Sequence, residues 1–377
     1  MPDHRSLYHH PMLSLLRPRC ERARPGRVAD GGPALSGHGP TGHRFGRGAL
    51  AVVVTMAASM LLLDGCTSDS AAVSPTTPTA YVVTGASVAN PGQTVAVVDT
   101  SVPKVQPPIV TGTLPSALAA TPDGKDVLVA NKGNDTVAEI DVASGDVVGH
   151  ADVGLEPDAV AVTPDGALAL VANFGDNTVT PISLPSLAVG RPVAVGRQPV
   201  AIAISPKGTT ALVADYQDAT VTPIALPSLV AGPAVAAGAE PTALLVTPDG
   251  STALVTDFQT STVTPIRLAT MTPGPAIAVP GNPTGIATRS SSTAAYVSGS
   301  DTLTPIDLKT EQAGPPVDVG ALAEGVVIAP GGTTAWVSGL DGRLIHVNLR
   351  THKVIGHVTV GGQPAAVVIA GAPPAVG

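Results

Sequence analysis

The chain has 377 residues, of which 44% are hydrophobic but only 2% aromatic, and it contains 41 Gly and 38 Pro. An apolar content made mainly of Ala, Val, Leu and Ile, interrupted by so many turn residues, favours many short strands packed face to face. Residues 1–66 carry a net charge of +4 and residues 67–377 a net charge of −12. The acidic part lacks the basic stripe that binding to phosphates requires, so we expect no nucleic-acid partner.

The first 48 residues are rich in Arg, His, Pro and Gly and show no hydrophobic period. We interpret residues 1–48 as disordered, or as an extension that results from a start codon assigned too early. The sequence GHGPTG at residues 37–42 matches the dinucleotide fingerprint GxGxxG. No predicted strand precedes it and no helix follows, so we interpret the match as chance.

Residues 49–63 are apolar or small and follow two arginines, which is typical of the core of a signal peptide and short for a membrane span. The stretch ends in LDGC and resembles the lipobox of exported bacterial lipoproteins. That resemblance implies a signal peptide over residues 49–66, lipidation of Cys66 and a location at the outer side of the cytoplasmic membrane. Asp64 departs from the small residue usual at its position. An ordinary export signal that leads to a secreted protein, and a membrane-spanning anchor, remain alternatives.

Residues 67–79 are rich in Ser, Thr and Pro and predict a solvated linker. The rest of the chain is built from one repeated unit, seen clearly at residues 157–198. Its turn tetrad recurs every 42 residues, at Thr121, Thr163, Ser205 and Thr247. A period in the low forties with several short strands predicts the blades of a β-propeller.

Each unit can be divided into four strands, a to d. In residues 158–195 these are DAVAV, ALALVA, TVTPISL and the run around VGRPVAV. Asn131, Asn173, Asp215 and Asp257 follow strand b, where their side chains are predicted to close the turn into strand c. Proline recurs in strand c, as in Pro181, although proline removes a hydrogen bond from an interior strand. Either a bulge at each copy or an unpaired second half of strand c would accommodate it.

The repeats resemble the YVTN β-propeller family, through LVAN at residues 128–131, LVANF at 170–174, LVADY at 212–216 and YVSGS at 296–300. The resemblance covers residues 80–371 and implies the propeller fold. For function it implies only that such proteins are mostly surface or envelope proteins whose ligands are unassigned.

The copies of strand a predict seven blades. They begin near Ser116, Asp158, Val200, Thr242, Thr284, Glu324 and Ala365. The last copy has no strands b to d after it, whereas the first three strands of the domain have no strand a before them. The sequence therefore predicts an all-β, seven-bladed propeller of four-stranded antiparallel blades over residues 80–371. In this fold the C-terminal strand joins the N-terminal blade, and residues 372–377 form a tail.

In a propeller, the loops from strand d to strand a and from b to c share one face. Phe174, Tyr216 and Phe258 occupy equivalent b–c positions in consecutive blades, and the chain otherwise almost avoids aromatic residues. They are our candidates for binding a protein, peptide or glycan, with packing between blades as the alternative. Glu156 and Glu240 are candidates for a metal such as Ca²⁺ at the channel mouth, and polar groups that line a wet channel are the favoured interpretation of these positions.

We find little support for catalysis, because the mature chain has no thiol apart from Cys66 and no GxSxG or HExxH motif. His346, His352 and His357 lie outside equivalent positions of the repeat. We therefore expect a non-catalytic, monomeric binding or scaffold propeller without a cofactor, which meets the membrane only through its lipid. A lactonase-like hydrolase that uses a cation at the channel mouth is the alternative.

Overall fold

The structure is a computed structural model that describes residues 78–85, 92–288 and 293–371. These residues form seven antiparallel sheets with no helix among them. None of the described segments is a helix long and apolar enough to cross a bilayer.

Three blades have four continuous strands, ordered from the channel outward. Blade 1 consists of β32 (Gln363–Ala370), β1 (Thr79–Gly85), β2 (Thr94–Asp99) and β3 (Lys104–Val110). Blade 2 consists of β4 (Pro115–Ala120), β5 (Asp126–Asn131), β6 (Thr136–Asp141) and β7 (Val147–Asp152). Blade 7 consists of β28 (Ala323–Ile328), β29 (Thr334–Gly339), β30 (Arg343–Asn348) and β31 (Lys353–Thr359).

The other four blades have an outer strand that is split into two pieces. Blade 3 consists of β8 (Pro157–Val162), β9 (Leu168–Asn173), β10 (Thr178–Ser183), β11 (Ala188–Val189) and β12 (Val193–Ala194). Blade 4 consists of β13 (Pro199–Ile204), β14 (Thr210–Asp215), β15 (Thr220–Ala225), β16 (Val230–Ala231) and β17 (Val235–Ala236). Blade 5 consists of β18 (Pro241–Val246), β19 (Thr252–Asp257), β20 (Thr262–Arg267), β21 (Thr272–Pro273) and β22 (Ile277–Ala278). Blade 6 consists of β23 (Pro283–Ala287), β24 (Ala294–Gly299), β25 (Thr302–Asp307), β26 (Gln312–Ala313) and β27 (Val317–Asp318).

The C-terminal strand completes the first blade, as predicted. β32 pairs with β1 in antiparallel fashion, from Thr79 opposite Ala370 to Gly85 opposite Gln363. In the other six blades the innermost strand precedes its neighbours in the chain. The two ends of the domain therefore meet in one sheet, which removes an edge that would otherwise be unpaired.

The prolines of strand c are accommodated by strand d. Pro181 lies opposite Leu170 in an unbroken pairing of β10 with β9, and the last two residues of β10 also pair with β11. The interpretation that the second half of strand c is unpaired is therefore wrong. Instead the outer strand breaks, and the Gly190 amide donates to the Pro181 carbonyl over 2.8 Å. In blade 2, which has Glu139 at this position, a bulge in the pairing with β7 occupies the same place.

The core lies between the blades. On the face of blade 2 that packs on blade 3, Leu128 and Val137 meet Val171 and Ile182, and all four are fully buried. In every blade, the third residue of strand b fills the space between that blade and the next one. It is Leu128, Leu170, Leu212 and Leu254 in blades 2 to 5, and Tyr296, Trp336 and Tyr81 in blades 6, 7 and 1.

Candidate binding face

We call the face that carries the d–a and b–c loops the upper face. The two loops of one blade are joined by backbone hydrogen bonds, such as those from Phe174 N to the Glu156 carbonyl at 3.0 Å and from Phe258 N to the Glu240 carbonyl at 3.1 Å. Each accepting residue has a left-handed backbone, with φ of 53° at Glu156 and 56° at Glu240. This conformation ends the d–a loop and places the next residue in strand a, where the pairing with strand b is irregular.

The predicted aromatic rim consists of one buried and two half-buried side chains. Phe174 is only 9% exposed. The Lys132 ammonium lies 4.4 Å from the centre of its ring and 3.0 Å from the Asp158 carboxylate. Phe174 therefore helps to pack blade 2 against blade 3, and less of the rim is open to a ligand than the sequence pattern alone suggests.

Tyr216 and Phe258 are intermediate in exposure. Burial, followed by the charge of the Glu240 carboxylate and its hydrogen bond with the phenol, raises the pKa of Tyr216 to about 12. The Asn282 side chain donates to the Phe258 carbonyl over 3.2 Å. Both aromatics thus sit beside a polar residue of the next blade, which leaves a flat apolar surface next to a hydrogen-bonding group.

The two predicted metal candidates differ in their surroundings. Glu156 is exposed, and its backbone amide donates to the Asp135 carboxylate over 2.8 Å. Glu240 is half-buried beside Tyr216. Within the described residues, no group of three His, Cys, Asp or Glu side chains could together hold a metal ion.

Charge is concentrated on the upper face. Its described loops contain seven carboxylates and two basic side chains, whereas those of the opposite face contain five and four. The seven are Asp135, Glu156, Asp176, Asp218, Glu240, Asp301 and Asp341. The upper face therefore attracts cationic groups more strongly than the opposite face does.

Ion pairs neutralise part of this charge. Arg197 Nε lies 2.5 Å from Asp218 Oδ1, and Arg343 pairs with Asp341. Asp176 accepts a hydrogen bond from the Leu155 amide at 2.6 Å, a backbone contact that fixes the carboxylate and leaves its charge in place. Glu156 and Glu240 have no basic partner in the described part of the chain, so they remain available to a cation brought by a ligand.

Beneath the upper face lies a set of buried groups whose burial the sequence did not predict. Asn131, Asn173, Asp215 and Asp257 end strand b in blades 2 to 5 and are all 0% exposed. Asp215 Oδ2 accepts hydrogen bonds from Thr222 at 2.6 Å and Thr220 at 3.1 Å, while its Oδ1 has no partner. These four side chains join strand b to strand c, as the prediction of turn closure implied, but they do so from inside the protein. The recurring Thr-x-Thr at the start of strand c was the sequence signal for this contact.

Burial raises the pKa of Asp215 to about 6, against the lowering effect of its hydrogen bonds with Thr222 and Thr220. The pKa of Asp257 is raised to about 6 by the same cause, against its bonds with Thr264 and Thr262. In Asn173 the same geometry is held by a neutral amide, whose nitrogen donates to Thr178 and Thr180 at 2.9 and 2.8 Å.

The remaining predicted residues lie apart from this face or outside the described residues. Cys66 and the residues proposed as signal peptide and linker up to Thr77 are outside them. His346 stacks on Trp336, with ring centres 4.1 Å apart and planes 6° apart, and burial lowers its pKa. His346 is therefore a packing residue between blades.

A family model described as a YncE-like β-propeller matches residues 51–206. This supports the class, a β-propeller repeat protein, on less than half of the chain. No curated protein matches the sequence.

Solved structures that resemble the fold include the following three, all at low sequence identity. Hydrazine synthase of Kuenenia stuttgartiensis is 18% identical, with a TM-score of 0.62 over 67% of this chain and 88% of that one. A functionally unknown protein from Desulfotomaculum acetoxidans is also 18% identical, with a TM-score of 0.69 over 78% and 98%. The dihydro-heme d1 dehydrogenase NirN is 15% identical, with a TM-score of 0.56 over 78% and 75%. At these identities the likeness concerns the fold alone.

Proposed function

We propose that this protein is a non-catalytic binding propeller whose upper face takes a polypeptide segment that bears Lys or Arg side chains. The observation that carries the proposal is the uneven charge of the two faces, together with the position of Glu156 and Glu240. These two carboxylates lie in alternate blades at the inner ends of the d–a loops, and neither has a basic partner among the described residues.

The half-buried aromatics supply the other part of the recognition. Tyr216 is held beside Glu240, so a cationic side chain that reaches this carboxylate also meets the aromatic ring. Aromatic surface next to a carboxylate suits the aliphatic stem and charged end of Lys or Arg. Phe258 extends the same surface into blade 5. The predicted rim is retained in this proposal as a pair rather than as three equal residues.

We further propose that the propeller is tethered by a lipid on Cys66 at the outer side of a bacterial cytoplasmic membrane. The sequence supports this through the apolar run that ends at Gly65-Cys66 and the Ser, Thr and Pro-rich residues that follow. Intact-mass analysis of the membrane fraction should show an acylated Cys66 terminus. Retention of residues 1–65, or an unmodified terminus elsewhere, would contradict the tether and would leave the binding proposal untouched.

The binding proposal is tested by titrating the full chain, in a mild detergent, with a fluorescent Lys/Arg-rich peptide and an acidic peptide of equal length. We expect saturable binding of the basic peptide alone, weakened at least about threefold by raising the salt concentration from about 0.05 to about 0.2 M. The double change Glu156→Gln and Glu240→Gln should weaken binding about tenfold or more, which corresponds to about 1.4 kcal/mol.

A matched control carries two changes on the opposite face, Asp123→Asn and Asp165→Asn. It alters the net charge by the same amount and should bind as the wild type does. Equal weakening by both pairs would show a non-specific charge effect and contradict the site. Stoichiometric metal together with hydrolysis of a lactone would overturn the assignment as non-catalytic.

A further inference from the structure

The outermost strand of each blade has an exposed edge. Strand d pairs with strand c on one side only, so half of its backbone donors and acceptors face outward. Such an edge can pair with a strand of another chain, and natural proteins protect it with proline, charge, breaks or bulges.

Five of the seven described edges contain proline. These residues are Pro107 and Pro108 in blade 1, Pro192 in blade 3, Pro233 in blade 4, Pro273 and Pro275 in blade 5, and Pro315 and Pro316 in blade 6. In blades 3 to 6 the strand is also split into two pieces of two residues each. These edges cannot offer a regular row of hydrogen-bonding groups to a partner.

Blades 2 and 7 have edges of a different kind. Their outer strands contain the related sequences VVGHAD, residues 147–152, and VIGHVT, residues 354–359, without proline. A bulge at one end of each strand pushes Val148 and Ile355 outward, to 58% and 53% exposure. Residues 149–152 and 356–359 remain in regular pairing with strand c, so each edge presents four residues of continuous strand.

The two open edges carry opposite charges. Asp146 lies just before the β7 edge and Asp152 ends it, and both carboxylates are exposed. The edge of β31 begins at Lys353 and follows Arg350, and both of these are exposed. Among the described residues none of these four side chains belongs to an ion pair. Opposite charges directly across a strand pair stabilise the pairing, and like charges oppose it.

We propose that the β7 edge of one molecule pairs with the β31 edge of a second copy of this chain. The pairing brings together the acidic and the basic edge and covers Val148 and Ile355. Because the contact uses two different surfaces of the same protein, the first molecule keeps its β31 edge free and the second keeps its β7 edge free. Association is then head-to-tail and forms open chains of molecules, in contrast to the monomer expected from the sequence.

Sedimentation of the full chain in a mild detergent tests this proposal over about 5 to 500 µM. We expect the wild-type mean mass to rise with concentration, and to rise less at about 0.5 M salt than at about 0.05 M. The variant Asp146→Lys/Asp152→Lys has two basic edges, and Arg350→Asp/Lys353→Asp has two acidic ones. Each variant alone should lose at least about tenfold in association constant.

An equimolar mixture of the two variants should associate again, because a basic edge then meets an acidic one. The matched control is Asp318→Lys, since Asp318 occupies in blade 6 the position of Asp152 but lies on an edge blocked by proline. It should associate like the wild type, and circular dichroism should show all variants folded. A wild type that stays monomeric over the whole range would overturn the proposal, as would a mixture that does not associate or an Asp318→Lys variant that loses association equally.

Discussion

The seven blades fall into two groups of consecutive blades, or arcs, which share one backbone fold but differ in the side chains of strand b. In blades 2 to 5, which we call the leucine arc, the third residue of strand b is Leu and the last is Asn or Asp. In blades 6, 7 and 1, the aromatic arc, the third residue is Tyr or Trp. The position of that Asn or Asp is occupied by Gly299 in blade 6, Gly339 in blade 7 and Thr84 in blade 1. The leucine arc therefore ties strand b to strand c with a buried polar side chain. In blades 6 and 7 the glycine provides no such tie, and in blade 1 the Thr84 hydroxyl donates instead to the Thr94 backbone carbonyl over 3.2 Å. The aromatic arc fills more of the space between blades with large rings.

The difference extends to the loop above strand b. In the leucine arc a glycine of the d–a loop packs directly on the buried side chain, and a Cβ on Gly154 would lie 2.6 Å from Asn173 Cγ. In the aromatic arc Gly320 has nothing within 4 Å of that position. The glycine at this position of the repeat is therefore required for different reasons in the two blades. Gly154 is required because a side chain would collide with Asn173, whereas Gly320 is required because its backbone is left-handed, with φ of 65°.

The largest effect is expected from removing the strand that closes the aromatic arc. Deleting residues 363–377 exposes the inner edge of β1 with the buried Tyr81 and Val82. We expect an insoluble chain or a Tm lower by more than about 10 °C, because several kcal/mol of buried contacts are lost. Deleting only residues 372–377 is the control and should leave Tm nearly unchanged. Equal melting of the two deletions would show that closure does not depend on β32.

Truncation of the residue that fills the space between blades comes next. Trp336→Ala removes a side chain that is 1% exposed and stacked on His346, so unfolding in urea should show a loss of about 3 to 5 kcal/mol. Trp336→Leu, which introduces the residue used by the leucine arc, should cost about half as much. Leu212→Ala in the leucine arc should cost about 2 to 4 kcal/mol. A Trp336→Ala cost below about 1 kcal/mol would remove the basis for distinguishing the arcs by their large side chains.

A smaller difference in stability is expected between substitutions of the two glycines, Gly154 and Gly320. Gly154→Ala should cost about 2 to 3 kcal/mol in chemical unfolding, because the added methyl group must displace the buried Asn173. Gly320→Ala meets open space and should cost about 1 kcal/mol, through its left-handed backbone alone. The difference should shrink in Gly154→Ala/Asn173→Gly, which copies the aromatic arc. Equal costs in the two single variants would contradict the contact.

The smallest effect depends on pH. Asp215 and Asp257 have a folded pKa of about 6 against an ordinary value of 3.8, so they favour the folded state while protonated, and this contribution is lost as pH rises from about 4 to 6. Asp215→Asn and Asp257→Asn should therefore each stabilise the protein by about 1 to 2 kcal/mol at pH 8 and by almost nothing at pH 4. Asn173→Asp is the reverse change and should destabilise at pH 8. Stability curves parallel to the wild type between pH 4 and 8 would show that these carboxylates are not buried as charges.

The repeat was sufficient to predict seven blades, the position of strand a and the closing strand, because each depends on a period that recurs at fixed spacing. The response to Pro181 could not be predicted, since it depends on which side of strand c lacks a donor and whether the neighbour on that side can break. The burial of Asp215 and Asp257 was also missed. An Asp at the end of a strand and an Asp in an exposed turn look alike in sequence and differ only in what packs above them.

The candidate face was predicted only in part for a related reason. Phe174, Tyr216 and Phe258 are equivalent in the repeat, yet Lys132 of the preceding blade covers Phe174. Lys132 occupies in blade 2 the position that is aromatic in blades 3 to 5, so the contact could not be predicted from the three aromatic positions themselves. The charge imbalance between the faces follows from loop composition, once the pairing of d–a with b–c loops is known.

The most direct test of the proposed binding face is hydrogen exchange of the full chain with and without the basic peptide. We predict slower exchange in residues 153–156, 195–198 and 237–240 of the d–a loops and in residues 216–219 and 258–261 of the b–c loops. The turns of the opposite face, such as residues 163–167 and 226–229, should exchange unchanged. Protection confined to that opposite face, or no protection at saturating peptide, would contradict the account.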